Sequence, residues 1–178
     1  DFQDLELTIN KTLKQASAAQ EAKEHYDDLN AASRIQRSIL PKKLPQLDNL
    51  TLSAGYQPMR VVGGDFYDFH VVDDKRIGIL VADVSGHGVQ AALVASMIKI
   101  AFAMQHHIAD QPSVVLESIN TVLNEILEET YLTACYVYLD MESKIMKVAN
   151  GAHPPLYLWK RDMQALAEVK ASGRILGW

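Results

Sequence analysis

Residues 61–88 read VVGGDFYDFHVVDDKRIGILVADVSGHG, and this stretch decides the fold. It contains two acidic, glycine-rich motifs, GGDFYD at 63–68 and DVSGHG at 83–88, and each adjoins a short apolar segment. Apolar segments separated by a polar turn predict two neighbouring strands. Their pairing would bring the carboxylates of Asp65 and Asp83 close together. Because like charges repel, such a pair either shares a proton or binds a hard cation such as Mg²⁺ or Mn²⁺.

The composition limits the number of domains and the class of partner. A chain of 178 residues with 48% hydrophobic content predicts one buried domain plus an appendage. The net charge of −5 argues against nucleic-acid binding, which needs clustered Lys and Arg. Cys135 is the only cysteine, so no intrachain disulfide can form and a cytoplasmic location is expected. The most apolar stretch, residues 91–104, is too short to span a membrane, and no membrane contact by this chain is expected.

Residues 1–40 are expected to form a separate N-terminal element. They contain no Gly or Pro, and their apolar residues recur at spacings of three and four. This pattern predicts one amphipathic helix, roughly 57 Å long for about 38 residues, with a thin apolar stripe. We expect a coiled-coil linker that forms a homodimer and carries a signal. The alternative is a packed or solvated helix with no signalling role. Residues 41–178 would form the globular domain.

The rest of the chain predicts a mixture of strands and helices. A helix over residues 89–107 has apolar residues on nearly every face, which predicts packing between other elements, and a second helix begins near Pro112. Short turns require antiparallel pairing, so the fold class is predicted to be α+β with a largely antiparallel sheet. Strands are predicted at 51–56, 66–72, 76–82, 132–140, 145–149, 156–160 and 166–169.

Three motifs, taken in order, resemble one known family. GGDFYD, DVSGHG and NGAHPP at 150–155, the last preceded by the strand TACYVYLD, look like the bacterial SpoIIE/RsbU branch of the metal-dependent PPM (type 2C) serine/threonine protein phosphatases. The helix end RIQRSILP at 34–41 is similar to the linker junction of that branch. The resemblance implies an α/β/β/α sandwich with two Mn²⁺ or Mg²⁺ ions, where a metal-bound water hydrolyses phosphoserine or phosphothreonine. It also implies a phosphorylated STAS-type anti-sigma-factor antagonist as the substrate.

The resemblance assigns roles to individual residues. Asp65 corresponds to the first metal ligand, Asp83 to the ligand that bridges both ions, and Val84 to a residue whose backbone carbonyl binds metal. The alternative for the two aspartates is that they accept backbone N–H bonds in turns. Asp68, three residues past Asp65 on a strand, should face the opposite side and make a structural hydrogen bond. The residues with candidate supporting roles are Gly64, Asp68, Gly86 and His87.

Two histidines lie in or beside these motifs. His87 could act as a general acid, but its spacing from Asp83 differs from the consecutive Asp-Gly-His of the eukaryotic enzymes, and holding the loop is the favoured role. His153 lies where the family more often shows Ala-Gly-His. Gly151 and Ala152 stand in the reverse order here, and His153 is interpreted as structural.

Two further considerations leave the function open. The letters GGDF also begin a diguanylate cyclase signature, but that signature places Glu before Phe and has no second motif like DVSGHG, so the cyclase is disfavoured. The resemblance implies further aspartates beyond Trp178 that complete the metal site, so these 178 residues are expected to have little activity alone. The alternative function is a non-catalytic, dimerising interaction module with a phosphatase-like sheet.

Overall fold

The computed structural model describes residues 2–58, 60–127 and 130–178. The chain begins with helix α1, Phe2–Ile39, whose side chains are exposed over residues 8–28, whereas half-buried and buried side chains appear among exposed ones from Leu29 onward. Among the side chains that the structure describes in α1, those that pack against the rest of the chain lie in the last three turns. No helix within the described ranges is both long enough and apolar enough to cross a bilayer.

An antiparallel sheet forms the centre of the molecule. Within the described residues it has four strands in the order β1-β2-β3-β4. Two further strands, β5 and β6, form a separate antiparallel hairpin. The bounds are β1, Asp65–Val71; β2, Arg76–Val84; β3, Leu132–Asp140; β4, Ile145–Gly151; β5, Leu156–Lys160; and β6, Ala165–Val169.

Two helices cover one face of the four-stranded sheet. Helix α2, Val89–Ala103, leads through a short 3₁₀ turn at His106–Ile108 to helix α3, Pro112–Asn124. Alternate residues of the strands point under these helices and make the core with them, because successive side chains of a strand face opposite sides. The largest fully buried side chains include Tyr136, Phe66 and Phe102. The predicted α+β class is confirmed, with the helical layer on one face and the β5–β6 hairpin beside the other.

The structure corrects two expectations about elements. Residues 51–56 form no strand: Leu52 and Tyr56 are half-buried while the residues between them are exposed, but the segment joins no ladder among the described residues. The alternation of apolar and polar residues in the sequence predicts a half-buried segment, whereas a strand also needs a neighbouring backbone to pair with. The second correction concerns α2, which was expected to be covered on all sides. Its residues Leu93 and Ile100, and the C-cap residue Met104, are more than half exposed.

Candidate functional site

Asp65 and Asp83 lie directly opposite each other on neighbouring strands. Asp65 begins β1 and its register partner on β2 is Asp83. Both side chains are exposed, whereas the adjacent residues Phe66 and Ala82 are buried under the helices. The two carboxylates therefore project from the open face of the sheet at the same level. Neither of them forms a salt bridge with a residue that the structure describes.

The electrostatic surroundings disfavour ionisation of Asp83 while Asp65 is also charged. Partial desolvation, and then the charge of Asp65, raise the pKa of Asp83 above its ordinary value, although nearby His153 acts in the opposite direction. Two adjacent carboxylates without a cationic partner repel each other, and a cation between them would remove that repulsion. The arrangement therefore favours binding of a positive charge.

Gly64, the residue before Asp65, packs closely against the backbone of Val84, the residue after Asp83. The Val84 N–H donates to the Gly64 carbonyl oxygen at 3.4 Å, which extends the β1–β2 pairing by one residue. A Cβ atom added to Gly64 would lie 2.7 Å from the carbonyl oxygen of Val84 and 3.3 Å from the Cβ of Ala91. Only glycine fits between the start of α2 and the end of β2. The candidate ligands Asp65, Asp83 and the Val84 carbonyl thus occupy adjacent positions in the paired strands.

The DVSGHG motif forms the loop between β2 and α2. Gly86 and Gly88 adopt φ values of 89° and 78°, which favour glycine, and Gly88 is the N-cap of α2. The Ser85 N–H donates to the Tyr131 carbonyl at 2.8 Å, and the Tyr131 N–H donates to Ser85 Oγ at 3.1 Å. His87 is exposed. Ser85 is therefore the side chain that anchors this loop, a role that the sequence suggested for His87.

Asp68 lies on the opposite face of the sheet from Asp65. Its side chain is buried, and Lys99 of α2 donates to its Oδ2 at 2.6 Å. This contact joins α2 to β1 beneath the site. Asp68 therefore has a structural partner and does not face the two aspartates.

Two polar residues near the aspartates, Thr133 and Asn150, had no assigned role in the sequence interpretation of the site, and both contact His153. Thr133 of β3 is the register partner of Asp83, and its Oγ1 lies 2.7 Å from Nδ1 of His153. The Asn150 side chain hydrogen-bonds both the backbone N–H and the carbonyl of His153, at 2.7 and 3.0 Å. His153 was interpreted as structural, yet it lies close enough to both aspartates for their charges to affect its pKa. The position of Thr133 opposite Asp83 could have placed Thr133 in the site, but this position is known only once the pairing register of β2 and β3 is known.

The last turns of α1 reach the loop that precedes Asp65. Gln36 is buried; its Nε2 donates to the Gly63 carbonyl at 2.5 Å, and the Gly63 N–H donates to its Oε1 at 3.1 Å. The Tyr56 hydroxyl lies nearby, buried and without a hydrogen-bond partner among the described residues. Burial, and then the charge of Asp65, raise the pKa of Tyr56. The N-terminal helix is thus bonded to the backbone two residues before a candidate metal ligand.

Comparison with known proteins identifies the family. The sequence model of the family described as stage II sporulation protein E (SpoIIE) matches residues 73–178, which is more than half of the chain. The chain belongs to the SpoIIE family. Phosphoserine phosphatase RsbU of Bacillus subtilis (strain 168) is 30% identical over 151 residues, covering 84% of this chain and 45% of the relative. Phosphoserine phosphatase RsbP of the same organism is 27% identical over 140 residues, covering 76% of this chain and 34% of the relative.

Solved structures agree with the SpoIIE-family assignment. The SiaA-PP2C domain of Pseudomonas aeruginosa matches with a TM-score of 0.73 at 27% identity, covering 87% of this chain and 63% of that chain. The PP2C phosphatase domain of SpoIIE from Bacillus subtilis, solved with a fragment of its regulatory domain, matches with a TM-score of 0.53 at 21% identity. It covers 65% of this chain and 34% of that chain, and it supports the fold alone. The chain spans less than half the length of the two curated relatives.

The donor set of this SpoIIE-family chain fits part of a hard-cation site. Mg²⁺ and Mn²⁺ prefer oxygen ligands, and the site offers two carboxylates and one carbonyl. No group of three or more His, Cys, Asp and Glu side chains in the described ranges could hold a metal ion. These oxygen ligands thus match the chemistry of such ions. Water, or groups other than these three ligands, would occupy the remaining coordination positions.

Proposed function

We propose that the protein containing this chain is a metal-dependent protein serine/threonine phosphatase that acts in the cytoplasm. The observation that carries the proposal is the register pair Asp65 and Asp83, exposed on one face beside the Val84 carbonyl. Two relatives are named as phosphoserine phosphatases, which supports the same reaction class.

In this proposal the chain's own residues bind and place the ions. Asp65 and Asp83 would hold the ions through their carboxylates, and the carbonyl of Val84 would add a neutral oxygen ligand. When bound, two Mn²⁺ or Mg²⁺ ions supply a water of lowered pKa and neutralise charge on the transferring phosphoryl group. Because the pKa of Asp83 is raised in the metal-free chain, protons should compete with the ions, and metal binding should weaken as the pH falls.

The proposed substrate is a phosphorylated STAS-type anti-sigma-factor antagonist, and the proposed assembly is a homodimer formed through α1. The substrate proposal rests on the family resemblance. The dimer proposal is supported by the exposed apolar side chains of α1, among them Phe2, Ile9 and Leu13. In these proposals the sheet domain performs the reaction on the substrate, and α1 joins two copies of the chain.

The test uses the full-length protein with a phosphorylated STAS-domain protein and a phosphoserine peptide. Release of phosphate should require Mn²⁺ or Mg²⁺, stop with chelator, and fall below detection in Asp83→Asn. The control Asp162→Asn changes an exposed aspartate in the β5–β6 turn and should leave turnover intact. Turnover that resists chelator, or that survives in Asp83→Asn, would refute the proposal. Turnover of the peptide but not of the STAS protein would refute only the substrate.

The second candidate is a non-catalytic interaction module. It is favoured by the lack of a complete ligand cluster in the described ranges and by the exposed length of α1. A full-length protein that forms a stable complex with an unphosphorylated partner and releases no phosphate under any metal would support this candidate over the phosphatase.

A further inference from the structure

A row of four polar side chains crosses the open face of the sheet at one level. Asp65 of β1 is the register partner of Asp83 on β2, and Asp83 is the register partner of Thr133 on β3. Register partners on adjacent strands point to the same face. The hydrogen bond between Thr133 Oγ1 and His153 Nδ1, at 2.7 Å, adds the imidazole ring to the end of this row. His153 therefore lies beside the two aspartates in space, although 70 residues separate it from Asp83 in the sequence.

The position of His153 is fixed by its backbone. Asn150, which is buried, accepts from the His153 N–H and donates to the His153 carbonyl. Ala152 adopts a φ of 56°, which closes the tight turn between β4 and His153. The Asn150 side chain and the backbone thus hold the turn without a contribution from the imidazole ring. The ring is half-buried, and of its two nitrogens only Nδ1 takes part in a hydrogen bond with the described residues. Nε2 is left for another molecule.

Of the two neutral tautomers of the ring, only one presents a donor at Nε2 to a phosphoryl group. Burial lowers the pKa of His153, while the charges of Asp83 and Asp65 act in the opposite direction. In a neutral imidazole one nitrogen donates and the other accepts. If Nδ1 accepts from the Thr133 hydroxyl, the proton is on Nε2. Phosphoryl oxygens only accept hydrogen bonds, so this tautomer can bind them and the other cannot.

We propose that His153 contacts the substrate by donating its Nε2–H to a phosphoryl oxygen of the phosphoserine, and that Thr133 is the positioning residue that fixes this tautomer. The inference rests on the proposed phosphatase function and adds to it a recognition group that the two aspartates cannot supply. Carboxylates repel a phosphoryl group unless a cation lies between them, whereas a neutral N–H attracts it directly. A hydrogen bond to a charged group is among the stronger ones in proteins.

Kinetics of the full-length protein with a phosphoserine peptide and Mn²⁺ separate this role from a structural one. His153→Asn keeps a partner for Thr133 but loses the donor, and kcat/KM should fall by about 10- to 100-fold. His153→Gln places an amide N–H near the position of Nε2 and should lose clearly less. Inorganic phosphate, used as a competitive inhibitor, should bind more weakly to His153→Asn than to His153→Gln. The control His107→Gln changes an exposed histidine beyond the C-terminal end of α2 and should match the parent protein.

Two further measurements keep the inference distinguishable from the proposed function. The ¹⁵N chemical shifts of the His153 ring in the metal-free protein should report the Nε2–H tautomer, and Thr133→Val should disturb it; this readout needs no turnover. The Mn²⁺ concentration for half-maximal activity should not change in His153→Asn. Any of three results would overturn the role of His153. These are an Nδ1–H tautomer, equal losses of kcat/KM in His153→Asn and His153→Gln, and full activity in His153→Asn. A parent protein without turnover in every metal would instead overturn the phosphatase proposal.

Discussion

Among single residues, Gly64 has the least tolerance for a side chain at the site. In Gly64→Ala the new Cβ would meet the Val84 carbonyl and Ala91, so β1, β2 or α2 must shift. We expect a loss of about 1–3 kcal/mol in the free energy of unfolding, together with weaker metal binding. Urea unfolding and Mn²⁺ titration measure the two effects. The matched control is Gly55→Ala, where the Cβ meets nothing within 4 Å and the change should stay within about 1 kcal/mol. Equal behaviour of the two variants would contradict the close packing at Gly64.

His70 is a residue whose burial makes stability depend on pH. Its ring stacks on Phe102 with a centroid distance of 3.6 Å, and Nε2 lies 2.9 Å from the Phe102 carbonyl oxygen. Nδ1 is buried with no hydrogen-bond partner among the described residues. Burial is the largest cause of the shift and lowers the pKa of His70 to about 4; His106 and Lys99 act in the same direction, and Asp68 and the bond to Phe102 oppose it.

The unfolded chain, with an ordinary histidine pKa of about 6.5, binds the His70 proton before the native state does. The stabilisation from neutral His70 is therefore complete above about pH 6.5 and is lost as the pH falls toward 4. We expect about 2 kcal/mol of this loss between pH 7 and pH 5. Urea unfolding at a series of pH values measures it. His70→Gln should flatten the slope, and His25→Gln, at an exposed histidine of α1, should not. An unchanged slope in His70→Gln would refute this assignment.

Among the elements, α1 reaches the loop before Asp65 through the side chain of Gln36. Gln36 makes two hydrogen bonds to the backbone of Gly63, adjacent to Gly64 and two residues before Asp65. Gln36→Ala would leave both backbone groups of Gly63 without these partners, and a loss of about 1–3 kcal/mol in unfolding free energy is expected. The loop before Asp65 should also loosen, so more Mn²⁺ should be needed for activity. Gln20→Ala provides the matched control, since the side chain of Gln20 is exposed on the same helix and hydrogen-bonds Glu24, another exposed residue of α1. If both variants need the same Mn²⁺ concentration, α1 does not position this loop.

The sequence predicted elements well where local pattern and pairing agree. The bounds of β3 and β5 match the structure, because a hairpin turn follows each run of apolar residues. Residues 51–56 carried the same alternation, but they pair with no strand among the described residues. The aspartate pair could be predicted because Asp65 and Asp83 belong to one hairpin. Thr133 and His153 could not, since their approach to Asp83 depends on the β2–β3 register and on the turn formed by Asn150 and Ala152.

At the scale of the whole molecule, the residues on the open face of the sheet, which the helices do not cover, are set by the alternation of side chains along each strand. The same alternation places the site on that face. Apolar side chains of β2 to β4 and of the β5 hairpin line a cavity of about 430 Å³ next to His153. The polar row from Asp65 to His153 lies at one end of this apolar face. A phosphoryl group bound at the row would therefore have an apolar surface on one side, which would weaken the competition from water for the hydrogen bonds to it.

We expect the assembly state to depend on the exposed part of α1. Phe2, Ile9 and Leu13 are more than half exposed, and their spacing of seven and four residues puts them on one helical face. A helix with such a face is stabilised by packing against a second helix. We therefore expect a dimer, which analytical ultracentrifugation at several concentrations would detect as twice the chain mass. Ile9→Asp with Leu13→Asp should give monomers with unchanged unfolding of the sheet domain, because residues 8–28 are exposed and far from the core. The control pair Asn10→Asp with Gln15→Asp changes other exposed positions and should remain dimeric. If all three proteins have the same mass, the apolar face of α1 does not set the assembly state.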